Sequence, residues 1–158
     1  MEEVAAETIG FHTDGLYIFL TDLGHETLFH WGLYLAQGPD HGVIFQMING
    51  PTADDKWEYQ CKVSDDVPYS KTLLVAVKIG VIEQVLHQPL ANVLAEVPVD
   101  PPVTCRVWLH RALHTLDDMG FVKLIHPAQD IEDVAADSAF RNRTKGQRSI
   151  EASEGAVD

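Results

Sequence analysis

The stretch that most constrains the fold is residues 28–48, LFHWGLYLAQGPDHGVIFQMI. Two runs of strand-forming residues flank positions 37–42, which hold two Gly, one Pro and one Asp. That pattern predicts a β-hairpin with a loop of moderate length. Side chains alternate across a strand. Leu28, His30, Gly32 and Tyr34 therefore share one face, and Phe29, Trp31, Leu33 and Leu35 the other. In the second strand Ile44, Gln46 and Ile48 oppose Val43, Phe45 and Met47. Both faces are largely apolar, which places the hairpin inside a sheet with cover on each side.

Further strands are predicted at 16–21, 57–63 and 72–79, the last closed by Gly80. Residues 1–13 read as a loose lead-in, and 21–27, 49–56 and 64–71 as loops. From Val81 the spacing turns helical: Val85, Leu86, Leu90, Val93, Leu94 and Val97 form an apolar stripe. Pro89 either divides it into two short helices or occupies the first turn of its second half. Residues 98–102, PVDPP, make a stiff connection. Residues 103–120 carry the strongest helical signal, with Thr104 as N-cap and Gly120 at the left-handed C-terminal position. Cys105, Trp108, Leu109, Ala112, Leu116 and Met119 fall on one side of it, and His110, His114, Asp117 and Asp118 on the other. A strand at 121–125 follows. Beyond Pro127, Phe140 is the only aromatic residue, and acids mix with the basic run RNRTKGQR. Residues 1–126 are thus expected to form a single α+β domain, and 127–158 a disordered C-terminal tail. The expected architecture is an antiparallel sheet of about five strands, with the helix bearing Cys105 packed on the His30 face.

The chain has 158 residues, one domain's worth, and 46% of them are hydrophobic, enough for a core. No apolar run approaches the roughly 20 residues needed to span a bilayer. The start, MEEVAAETIG, lacks the basic and apolar segments of a signal peptide. A soluble cytoplasmic protein is expected. Two cysteines do not suggest a disulfide framework. The formal net charge of −13 disfavours nucleic acid and anionic membranes and favours a neutral or basic small-molecule or peptide substrate. There is no Gly-rich phosphate loop, no G-x-S-x-G elbow and no CxxC pair, and no cofactor is expected.

Three residues carry the candidate chemistry. Cys105 lies in the first turn of a helix, where unpaired N–H groups and the helix dipole favour a thiolate. His30, on a central strand, can serve as its base. Gln46, on the neighbouring strand, can orient the imidazole through its side-chain carbonyl. Trp31, Tyr34, Arg106 and Trp108 flank these positions as candidate substrate-binding residues. Cys61, mid-strand among aromatics, is expected to be structural. His110 and His114 have the spacing of a metal pair but no third-ligand motif, and no metal is expected.

FHWGLYL followed by GVIFQM resembles the HWAIY and VIH strands of the LRAT-like and NlpC-type thiol enzymes, and TCRVWLHRALHTLDDMGF resembles their nucleophile-bearing helix. Residues 16–121 are also similar to a group of uncharacterised fungal proteins sharing HW and C-x-x-W motifs. The resemblance implies a permuted papain-like fold, with His30 as general base and Cys105 as nucleophile. Gln46 stands where many members have a second His, a departure that retunes or weakens such a site. The implied function is thiol-dependent acyl chemistry, an amide or ester hydrolase or acyltransferase. Two alternatives stay open. One is a fungal biosynthetic enzyme using His30 and Gln46 for acid–base or cyclisation chemistry. The other is a non-catalytic binding module with a degenerate site.

Overall fold

The computed structural model describes residues 10–25, 28–49, 57–100 and 103–157. The lead-in at 1–9, most of the predicted loop at 49–56 and Pro101 and Pro102 lie outside the described residues. In chain order the elements are β1 (Gly15–His25), β2 (Leu28–Ala36), β3 (Gly42–Asn49), β4 (Trp57–Ser64), β5 (Leu73–Val81), α1 (His87–Ala95), α2 (Cys105–Asp118), β6 (Lys123–Leu124), α3 (Ala128–Lys145), β7 (Ser149–Ala152) and β8 (Ala156–Val157). Six strands form one sheet in the order β4-β3-β2-β1-β5-β7. All neighbours are antiparallel except β5 and β7, which are parallel.

The hairpin forms where the sequence places it. The backbone N–H groups of Gln37 and Gly38 both donate to His41 O and close its loop. Gly32 stands opposite Gln46 and Leu33 opposite Phe45. On the other side of β2, Phe19 pairs with Gly32 and Thr21 with His30. The hairpin is therefore internal, as its two apolar faces require. β1 runs on to His25 where a loop from Thr21 was expected.

The strands separate two apolar clusters. On one face Leu16, Ile18, Trp31, Leu33, Phe45 and Met47 meet α1 (Leu90, Leu94), α2 (Trp108, Leu109, Ala112, Leu116) and α3 (Ile131, Ala135, Ala139). On the other, Tyr17, Phe19, Tyr34, Ile44, Leu73 and Ala76 meet Phe11 and Val67, the latter from a 3-10 turn, Val67–Tyr69, with Ile150 of β7 packed alongside. Among the described residues no helix lies over this second face.

Helix α2 has the predicted ends. Thr104 Oγ1 accepts from the Val107 N–H at 3.2 Å, and Gly120 adopts φ +83°, a conformation that glycine enters without the steric penalty of a Cβ. Its apolar side is buried as predicted up to Met119, which is 60% exposed past the last turn. Pro89 lies in the first turn of α1, after a 3-10 turn at Gln84–Leu86.

The α+β class holds, with four corrections. The sheet is mixed and six-stranded rather than antiparallel and five-stranded, because β7 adds to β5. The 127–158 segment is not a disordered tail: it supplies α3, β7 and β8. Its core-facing residues are Ala128, Ile131, Ala135 and Ala139, a narrow stripe at helical spacing. Such small side chains let a helix sit close to a sheet without aromatic content. Helix α2 packs on the Trp31 face, not the His30 face. The strand expected at 121–125 shortens to Lys123–Leu124, paired with β8.

Asn142 fastens the C-terminal segment. It is 5% exposed, and its Nδ2 donates to Leu74 O and to Ser149 Oγ, both at 2.8 Å. One side chain thus ties α3 to β5 and β7. Leaving a buried partner unsatisfied costs about 1–3 kcal/mol. Asn142→Ala is expected to lower the midpoint of thermal unfolding by about 2–10 °C, measured by circular dichroism. An unchanged midpoint would mean that the segment is not integrated into the cooperative fold.

Candidate functional site

Cys105 begins α2 and is 7% exposed. Its Sγ lies 3.9 Å from the Phe29 carbonyl oxygen, within the helix-side core. Burial pushes the thiol up, and the N–H groups of Trp31, Arg106 and Cys105 itself oppose this only in part. Desolvation thus outweighs the pull of the helix N-terminus toward a thiolate. Cys61, expected to be structural on a half-buried strand, is the exposed cysteine of the two, because β4 is a sheet edge.

His30 leaves β2 on the opposite face. Its Nε2 lies 2.7 Å from Gln46 Oε1, and Gln46 Nε2 donates to Gln60 Oε1, also at 2.7 Å. Gln46 and Gln60 face each other across β3 and β4, and Gln46 stands opposite Gly32 on β2, two residues from His30. The register therefore creates a hydrogen-bonded series His30–Gln46–Gln60. Gln46 is 8% exposed, with both ends of its amide engaged. With the Nε2–H donated to Gln46, Nδ1 carries the imidazole's free lone pair. Gly32 makes room for the Phe19 ring, which a Cβ at that position would strike. That ring lies 6.0 Å from the imidazole, centroid to centroid.

His30, Gln46 and Phe19 line a cleft of about 230 Å³, with Gln60 behind Gln46. Phe19, Ile44, Val67 and Leu73 are its apolar walls, His30, Gln46, Thr21, Ser64 and Ser70 its polar groups, and Lys62 and Asp66 bring opposite charges to its lining. Gln60 was not among the sequence candidates. Its signal was the polar alternation Glu58, Gln60, Lys62 in β4, which marks a face but not a hydrogen-bonded series.

The structure thus brings His30 and Gln46 together and puts the sheet between them and Cys105. The physical reason is the strand's period of two: His30 follows the parity of Gly32, and α2 covers the parity of Trp31 and Leu33. The four candidate substrate-binding residues also lie elsewhere. Trp31 is buried under α2, with the Arg106 guanidinium 4.6 Å over its ring. Arg106 is engaged by Glu132 and Asp133, each at 3.0 Å. Trp108 and Tyr34 are fully buried, and neither Trp108 Nε1 nor Tyr34 OH has a hydrogen-bond partner among the described residues.

A buried thiol behind the sheet should behave as one. In a Cys61→Ser chain, iodoacetamide is expected to label Cys105 slowly, with a pH midpoint above the roughly 8.5 of a free thiol. His30→Ala should leave the rate unchanged. Mass spectrometry of the labelled chain across pH reads both. Fast labelling that depends on His30 would require the two side chains to meet.

No curated protein and no solved structure matches this chain. One family model does, described as a family of unknown function, DUF6914, and it aligns with residues 14–149. That span runs from the residue before β1 to the first residue of β7 and holds β1 to β6, all three helices and the whole His30 series. The chain therefore belongs to the DUF6914 family of unknown function.

Proposed function

We propose that this chain binds a small polar molecule in the His30 cleft and that His30 acts there as an acid–base group. The observation that carries this is the hydrogen-bonded series from Gln60 through Gln46 to His30, of which Gln46 and His30 line the cleft. The series fixes the ring's tautomer and orientation, as the third member of a catalytic triad does. An amide accepts the Nε2–H but does not take the proton. Nδ1 must therefore both remove a proton from the bound molecule and return it. That suits isomerisation or cyclisation, in which the proton is moved rather than released. Gln46 Oε1, polarised by the donation from its own amide to Gln60, stabilises the imidazolium formed in between.

The size and charge of the cleft bound the ligand. At about 230 Å³ it is smaller than sites for drug-sized molecules, so it suits a small metabolite or one end of a larger one. Apolar walls with a few polar groups favour an amphiphilic molecule, and the net charge of −13 favours a neutral or cationic one. Thiol-dependent acyl chemistry in a permuted papain-like site would need Cys105 Sγ and the imidazole on one side of the sheet. The geometry gives that no support, so no step runs through Cys105.

The test is a fragment screen by ligand-detected NMR on the full chain, with hits retested on variants. His30→Ala is expected to weaken binding about 2–10-fold, the loss of one hydrogen bond, and to reduce any turnover found about 10²–10⁴-fold. Cys105→Ala should leave both unchanged. Hits that ignore His30→Ala and vanish in Cys105→Ala would overturn the proposal.

A further inference from the structure

The outer side of α2 carries a second polar cluster, away from the His30 cleft. His110 and His114 lie one turn apart, with their Nε2 atoms 3.2 Å from each other and their rings nearly edge to face. His110 Nδ1 lies 2.6 Å from Glu132 Oε2 on α3. The Glu132 side chain is 2% exposed, and its other oxygen accepts from Arg106 Nε at 3.0 Å. Among the described residues no group of three or more His, Cys, Asp or Glu is arranged to hold a metal ion. The question is what two can do.

We infer that His110 and His114 chelate a divalent transition-metal ion of the Zn(II) or Cu(II) class through their Nε2 atoms, with Glu132 behind His110 and water completing the coordination. Three observations support this. Two imidazole nitrogens bound to one tetrahedral Zn(II), at about 2.0–2.1 Å each, sit about 3.3 Å apart. The present separation of 3.2 Å is close to this, and the proton that His114 Nε2 shares with His110 moves to His114 Nδ1 when the ion enters. The Glu132 carboxylate takes the Nδ1–H of His110. That leaves Nε2 with the lone pair a metal needs, the arrangement in which a carboxylate holds the outer nitrogen of a metal-binding imidazole. Arg106 in turn holds Glu132 in place. Finally, the pair reaches solvent: His114 is exposed and His110 is only partly covered. An ion can enter without opening the fold, and the acidic chain attracts it.

Imidazole pairs select borderline cations over Mg(II) and Ca(II), which take oxygen ligands. With two protein ligands the site is labile. It leaves coordination positions open beside a groove lined by Arg106, Val107, Arg111 and Gln129.

The experiment titrates ZnCl2 into the full-length Cys61→Ser chain by calorimetry, and follows the imidazole nitrogens by long-range 1H–15N NMR. One equivalent of zinc is expected to bind, with the Nε2 resonances of His110 and His114 shifting together. His114→Ala touches an exposed side chain whose hydrogen bond is to His110. It should abolish that equivalent and leave the circular dichroism spectrum unchanged. Glu132→Gln should weaken it about 10–100-fold. Excess MgCl2 should not compete. Zinc binding that is equal in His114→Ala, or the absence of any His110 or His114 shift at saturating zinc, would overturn the assignment.

Discussion

The alternation of side chains along β2 decides what the rest of the molecule can do. Successive residues of a strand leave opposite faces of the sheet, so His30 and Trp31 are neighbours in sequence and on different sides of a wall. All three helices lie on Trp31's side. Once they do, any group on α2 that faces the sheet meets Trp31, Leu33, Phe45 and Met47, and is screened from the imidazole by the sheet itself. A slip of one residue in the pairing of β2 would exchange the two sets. The register is held from both sides, by Phe19 and Thr21 of β1 and by the apolar pairs Leu33–Phe45 and Leu35–Val43 of the hairpin.

The two faces solve the burial of polar groups differently. The helix side is an apolar layer in which Cys105 behaves as a small hydrophobe. Among the described residues the other side carries no α-helix, with Phe11 and Val67 against the sheet, and there His30, Gln46 and Gln60 hydrogen-bond in series. Buried polar atoms are tolerated when fully bonded and are expensive otherwise. A Gln in the middle of the series can donate at one end and accept at the other, which a second His in its neutral form would also do. Gln holds no charge in either role, so Gln46 and Gln60 add no ionised group to a partly apolar cleft.

How much of this was legible depended on whether the signal was local. The hairpin, the strand at 57–63, Thr104 as N-cap and Gly120 as the helix stop each rest on a few adjacent residues, and each forms. The parity of His30 and Gln46 was also written in the strands. Which face α2 would cover was not, because both faces of the hairpin are apolar and helix burial favours neither. The pairing of Cys105 with His30 rested on that choice. The C-terminal segment was missed for another reason. Ala128, Ala135 and Ala139 carry little hydrophobic weight, and much of their burial comes from α3 lying against β5, a long-range contact made specific by Asn142. Gln60 required the β3–β4 register, which no local pattern supplies.

The charges on α2 and α3 explain why that segment docks where it does. A carboxylate as buried as Glu132 is unfavourable unless it is paired on more than one side. Its partners, Arg106 and His110, come from successive turns of one helix. Only a helix lying across α2 at that height can present an acid to both, so the pair selects a position for α3 as well as holding it there. Arg106 adds a third direction by covering the ring of Trp31 on β2. Sheet, α2 and α3 thus share one guanidinium. Its electrostatic role is structural, and the face of the sheet that α2 covers keeps it, like Cys105, away from the cleft around His30.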